Sequence, residues 1–184
     1  MIVVKLGGSL SQSDTLMTCL NSIEQNYSDK AVVIVPGGGA FADQVRLAQQ
    51  RWRFDDTIAH EMAILAMQQM ALLIKGLKRD FPMARSVAGI QKQLRRQKCV
   101  IWSPAIVELD RAAIPASWEI TSDSLAAWLA QALSADELIL VKSALIDASL
   151  GLQELANRDI IDKGFCEIAG QAAFKIRVIN QQDF

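Results

Sequence analysis

The sequence predicts an α/β fold, a three-layer α/β/α sandwich built on a central and mostly parallel sheet. Short apolar runs with strand character recur at Ile2 to Leu6, Ala31 to Val35, Cys99 to Trp102, Glu137 to Lys142 and Lys175 to Asn180. Segments with helical spacing separate them, the alternation that builds parallel sheets. The first two runs are almost continuously apolar, as expected of strands covered on both faces. Both also end in consecutive glycines, Gly7-Gly8 and Gly37-Gly38-Gly39.

Taken in order, the first run carries Lys5 close to its C-terminal end and passes into Gly7, Gly8 and Ser9. A strand that stops at glycines leaves backbone N–H groups with no Cβ to keep an anion away, and a following helix start adds partial positive charge. The second run ends at Pro36 and three glycines, giving an equivalent junction. A long helix is predicted from about Asp56 to Arg79, with Asp55, Asp56 and Thr57 at its start and Lys75, Lys78 and Arg79 at its end, before Phe81-Pro82. Ser86 to Lys98 is helical in pattern and rich in charge. A further helix is expected from Thr121-Ser122-Asp123-Ser124 through Leu133, capped by one of its own Ser or Asp side chains. The late strand closes on Lys142-Ser143.

Composition narrows the class. The 184 residues suit one well-buried domain, and no linker, repeat or low-complexity stretch marks a boundary. A net charge of −1 offers no global attraction to nucleic acid or an anionic membrane, so any phosphate must be held locally. Gln68 and Gln69 interrupt the longest apolar stretches, which leaves no expected membrane span. The opening strand lacks the pattern of a secretory leader, and the expected location is cytoplasmic. Cys19, Cys99 and Cys166 are far apart and the chain has one His, so free thiols are expected and no metal site.

The glycine junctions differ from known phosphate loops. A Walker A loop places Lys after its glycines, whereas Lys5 precedes them. Gly37 to Ala42 fits G-x-G-x-x-[GA], but no second strand precedes the acidic Asp55 and Asp56, as a dinucleotide fold would require. Asp123 by itself is an ordinary helix-start acid, and Lys142 by itself a solvated strand-end Lys; set beside two glycine junctions, they suggest a phosphoryl-transfer site. His60 is expected to pack within its helix. Arg46, seven residues after Gly39, reaches an acceptor phosphate or is a solvated helix charge. Lys92, Arg95, Arg96 and Lys98 lack interleaved aromatics and are expected on a solvated face. Met62, Met67 and Met70 are expected in the core.

The K-x-G-G-S start at Lys5 to Ser9, the P-G-G-G-x-F-A-D run at Pro36 to Asp43, the T-S-D-S segment and the late strand ending in Lys142, in this order, resemble the amino acid kinase family. That family includes aspartokinase, acetylglutamate kinase, uridylate kinase and isopentenyl phosphate kinase. The segments from Ala59 to Met67 and Thr121 to Ala130 further resemble small kinases of methanogens and methylotrophs that act on an aminomethylfuran methyl phosphate in methanofuran biosynthesis. The resemblance implies an ATP-dependent kinase of a small anionic metabolite, using Mg²⁺, in a homodimer. It implies that Lys5 neutralises the transferring phosphoryl group and that Asp123 orients the lysines flanking it. Gly7, Gly8 and Ser9, with Lys142 and Ser143, would hold the nucleotide, and Gly37, Gly38 and Gly39, with Arg46, the acceptor.

The chain also departs from the family pattern. Lys142-Ser143-Ala144-Leu145-Ile146-Asp147 lacks the Asp-Gly that usually follows the late strand, and no Gly-Gly-Met carries a second catalytic Lys. Residues 1–184 are therefore expected to form one domain with a shortened C-terminal nucleotide-binding part, and Lys142, Lys163 and Lys175 compete for the second lysine. A catalytically silent relative that binds a nucleotide or metabolite is the competing reading. On the sequence alone, Asp123→Asn is expected to leave stability almost unchanged, because Asn caps helices as well as Asp does.

Overall fold

A computed structural model of the chain describes residues 1–170 and 172–184. Six strands, β1 (Ile2–Leu6), β2 (Val32–Pro36), β3 (Met83–Ala84), β4 (Cys99–Trp102), β5 (Glu137–Lys142) and β6 (Lys175–Asn180), form one sheet in the order β3-β4-β2-β1-β5-β6. Every pairing in it is parallel. The strands connect through α1 (Thr15–Asn26), α2 (Gly39–Trp52), α3 (Asp56–Leu77), α4 (Val87–Leu94), α5 (Ile106–Arg111), α6 (Ser122–Ala132), α7 (Leu152–Asn157) and α8 (Phe165–Ala169).

Period-2 alternation along the strands divides the core between two faces. Val3, Val33, Val35, Leu138 and Leu140 face a core completed by α6, α8 and Trp102, whereas Ile2, Val4, Ile34, Ile139 and Val141 face α1. This is the expected three-layer arrangement. The first half of α3 joins one core through Ile64 and Met67, and its second half joins the other through Ala71 and Ile74.

Most element boundaries fall within a residue or two of the sequence expectation. The helical pattern from Ser86 to Lys98 yields only α4: Ser86 caps it by accepting from Gly89 N–H, and the Lys98 carbonyl accepts from Val32 N–H, which draws the chain into β4. The edge strand β3, two residues long, has too little pattern to be visible in the sequence. Gln68 and Gln69 do not break α3, whose 22 residues are by length and composition apolar enough to cross a membrane. Its buried face, however, is already spent on the protein cores.

Candidate functional site

Strands β1 and β2 are parallel neighbours with Leu6 opposite Pro36, so both glycine runs leave the sheet at the same C-terminal edge. Beyond that edge the 3₁₀ turn Gly8–Gln12 and the start of α2 are pressed together. A Cβ on Gly8 would lie 2.2 Å from Gly39 N, and one on Gly37 would lie 2.5 Å from Gly8 N. Gly39 also has φ +55°. Only glycine satisfies both the backbone angle and the close approach. Gly7 N–H donates to Val141 O at 3.0 Å and Gly37 N–H to Leu6 O at 2.9 Å, so these two extend the sheet. Gly8, Ser9, Gly38 and Gly39 lie in front of them and line a cavity. Ser9 Oγ and Ser143 Oγ are 2.9 Å apart, which joins the first junction to the end of β5.

Lys5 and Lys142 lie on adjacent strands, and α6 sets Asp123 between them. Lys5 Nζ is 2.7 Å from Asp123 Oδ1, and Lys142 Nζ donates to Asp123 Oδ2. The Lys5 contact is an ion pair outside strict hydrogen-bond alignment. Lys5 is 4% exposed and Asp123 2% exposed. Burial by itself would raise the Asp123 carboxyl, but the two ammonium groups outweigh it and hold the carboxyl below its ordinary value. Lys142 is lowered to about 8, first by burial and then by the charge of Lys5, against the attraction of Asp123. Two cations sharing one carboxylate leave one excess positive charge in a buried place, and an arriving anion relieves it.

Two openings meet at this point. A cavity of about 240 Å³ is lined by Gly8, Ser9, Gly38 and Gly39 on one side and by Ala63, Ile64, Met67 and Leu125 on the other, with Asp43, Asp56 and His60 also in its wall. A more polar cleft of about 470 Å³ is lined by Lys5, Asp123 and Lys142 together with Asp159, Asp162 and Lys163. Arg46, Trp118 and Thr121 border both. The Arg46 guanidinium lies 3.8 Å from the centroid of the Trp118 ring, whose Nε1–H donates to Gln49 Oε1 at 2.6 Å. Gln49 Nε2 in turn donates to Asp56 Oδ1 at 2.8 Å. Arg46 is thus held by stacking over the junction of the two openings. His60 is buried, its Nε2 has no hydrogen-bond partner among the described residues, and burial lowers its pKa.

The structure separates the three candidate lysines. Lys142 meets Asp123 and Lys163 lines the polar cleft, whereas Lys175 pairs in register with Glu137 at the opposite edge of the sheet. Gly7 and Gly37 line neither opening. Trp118 and Asp162 were not legible as site residues: each sits in an irregular segment with no motif around it. The expected local cap of α6 is also corrected. Neither Ser nor Asp of the first turn caps the helix; Asp162, from a distant segment, accepts from Thr121 N–H and Ser124 N–H, each at 2.9 Å. Cys19 is buried, Cys99 and Cys166 are half-buried, and all three thiols are free.

Comparison with solved structures supports the fold. Uridylate kinase from Archaeoglobus fulgidus superposes with a TM-score of 0.73 at 19% identity, covering 99% of this chain and 92% of that one. Aspartate kinase from Synechocystis gives 0.68 at 18% identity, covering 98% of this chain and 38% of the other. Among curated proteins, the [5-(aminomethyl)furan-3-yl]methyl phosphate kinase of Methanocaldococcus jannaschii is 28% identical over 144 residues, 76% of this chain. The chain spans 64% of that relative's length. The model of the amino acid kinase family matches residues 1–144. That span contains Lys5, both glycine runs, Asp123 and Lys142, and the chain belongs to the amino acid kinase family.

Proposed function

We propose that the protein is an ATP-dependent kinase that phosphorylates an anionic group of a small metabolite. The observation that carries this reading is the buried Lys5–Asp123–Lys142 cluster with its unbalanced positive charge. Phosphoryl transfer depends chiefly on positioning and on electrostatic stabilisation of charge over the transferred group, which lysines held in fixed places supply. ATP, with Mg²⁺ on its phosphates, would supply the phosphoryl group in the polar cleft. Lys5 and Lys142 face that group from two strands, and Asp123 keeps both ammonium groups from swinging away. Lys163 lines the same cleft, whereas Gly8 and Ser9, expected at the nucleotide, line the other cavity, with Ser9 bonded to Ser143 at the end of β5. An acceptor that is already an anion needs no general base.

The acceptor occupies the smaller cavity. Gly8, Gly38 and Gly39 admit an anionic end close to backbone, Arg46 meets its charge, and Ile64, Met67 and Leu125 receive a small apolar body. The carboxylates of Asp43 and Asp56 suit an amine at the far end. A ring bearing a methyl phosphate and an aminomethyl group, the acceptor named for the Methanocaldococcus relative, has these three parts. The test is ADP release from ATP and Mg²⁺ across a panel containing that compound, UMP and acidic amino acids. Turnover with one acceptor is expected; nucleotide binding with no turnover across the panel would favour the silent-relative reading.

The protein is further proposed to act as a homodimer through α3. Ile58, Leu65 and Leu72 repeat every seven residues on its exposed face, joined by Leu73 and Leu77. Asp56 and Glu61 lie toward its start and Lys75 and Arg79 toward its end, so an antiparallel copy sets Leu65 against Leu72 and acid against base. Sedimentation should give a dimer at micromolar concentration and a monomer for the Leu65→Glu/Leu72→Glu variant. A monomeric wild type would overturn this assembly.

A further inference from the structure

Asp162 lies outside the residues that match the family model, yet its carboxylate is bonded to the helix that carries Asp123. Thr121 is the N-cap residue of α6, and its own side chain caps nothing. Thr121 Oγ1–H instead donates to Asp162 Oδ1, while Thr121 N–H and Ser124 N–H both donate to Oδ2. Ser124 is the third helical residue, whose N–H an N-cap side chain ordinarily satisfies. Asp162 therefore stands where the cap belongs, supplied from 38 residues further along the chain.

We propose that Asp162 is a positioning residue of the transfer site: it clamps the first turn of α6 from outside the helix and so fixes the Asp123 carboxylate between Lys5 and Lys142. The proposal rests on the kinase reading above. Asp123 is the second residue of α6, one position before Ser124 and two after Thr121, so the three bonds enclose it on both sides. Consecutive residues of a helix are about 100° apart around its axis, so a small rotation of this turn withdraws one carboxylate oxygen from its lysine. An Asn offers one acceptor oxygen where the carboxylate uses both, so it would hold the turn less firmly. The charge of Asp162 has a second effect: it favours the protonated form of Lys142, alongside Asp123 and against Lys5. The other charged groups facing the cleft are Arg46, Glu119, Asp159 and Lys163. The same three bonds hold the segment with Asp159 and Lys163 over the cleft, so a segment that lacks the usual family motifs is still tied to the site.

Two readouts test this, one of which needs no turnover. The first is the titration midpoint of Lys142, followed through its side-chain ¹³Cε and ¹⁵Nζ resonances, assigned with Lys142→Arg. The second is kcat and KM for the acceptor as a function of pH. Asp162→Asn is expected to move the Lys142 midpoint to lower pH and to lower kcat by about tenfold or more with KM little changed, since misplacement rather than lost binding is the defect. Asp162→Ala should show the same shift with a larger loss of melting temperature. An unchanged Lys142 midpoint in a folded Asp162→Asn protein would overturn the proposal, as would a fall in melting temperature with kcat intact, because a purely structural cap predicts both. If the wild type turns over no acceptor, the kinase reading fails, while the Lys142 midpoint still decides whether Asp162 governs the cluster.

Discussion

The cavity beside α3 and the cleft between β1 and β5 meet at Arg46, Trp118 and Thr121, yet they treat a ligand by different physics. The cavity has an apolar wall of Ala63, Ile64, Met67 and Leu125 opposite bare glycine backbone, which selects by shape and by what it leaves dry. The cleft concentrates Lys5, Lys142 and Lys163 with Asp123, Asp159 and Asp162, which selects by charge. Substitutions in the first should therefore alter acceptor binding, and substitutions in the second should alter turnover. A protein in which these effects were exchanged would contradict the assignment of acceptor to cavity and donor to cleft.

The largest effect is expected in the cleft. Lys5→Ala and Asp123→Asn should each lower kcat by about a hundred- to a thousandfold, or roughly 3 to 4 kcal/mol, with the acceptor's dissociation constant little changed in calorimetry. The structure revises the stability expected for Asp123→Asn. Asp123 is no cap, and its neutralisation leaves Lys5 and Lys142 facing each other without their counter-charge. Breaking a buried pair in this way costs about 3 to 5 kcal/mol, lessened here because Lys142, already lowered to about 8, can release its proton. A lower melting temperature that recovers with rising pH is the expected signature, the recovery beginning below pH 8 because the lost carboxylate had been raising the Lys142 pKa. A variant as stable as wild type at pH 7 would mean that the cluster is more hydrated than its burial indicates.

A smaller effect is expected where the two openings join. Arg46→Gln removes the guanidinium stacked on Trp118 and should raise KM for the acceptor by about tenfold, a loss of roughly 1.4 kcal/mol in binding, with kcat within a few-fold of wild type. A fall in kcat at constant KM would place Arg46 with the transferred group instead.

The smallest effect needs no substitution. If Lys142 acts as a cation, kcat/KM should decline above about pH 8, approaching tenfold per unit. Stability should move the other way. Because the native Lys142 gives up its proton near pH 8 while the unfolded chain holds it to 10.5, the unfolded state binds more protons in this window, and the group's contribution to stability rises with pH. Opposite trends in kcat/KM and melting temperature would separate loss of the cation from alkaline unfolding; parallel trends would remove Lys142 from the mechanism.

The sequence by itself determined the features set by local pattern. Alternating strands and helices, apolar runs buried on both faces, and two glycine junctions are all encoded within windows of about ten residues, where backbone sterics and hydrophobic period act directly. Lys5 could be singled out because it sits in such a window, whereas Asp123, an ordinary helix-start acid in its own, stood out only beside the glycine junctions and through the family resemblance. Tertiary structure decided who meets whom. Lys142, already favoured for the nucleotide, meets Asp123 and Lys175 does not, because parallel pairing carries the C-terminal end of β5 to the glycine edge and leaves Lys175 at the other. Arg46 over Trp118, and Asp162 on α6, join irregular segments to helices dozens of residues away. Such contacts leave no periodicity in the chain: a helix N-terminus needs an acceptor but does not specify which residue supplies it, and a buried ammonium needs a counter-charge from whatever element the sheet brings beside it.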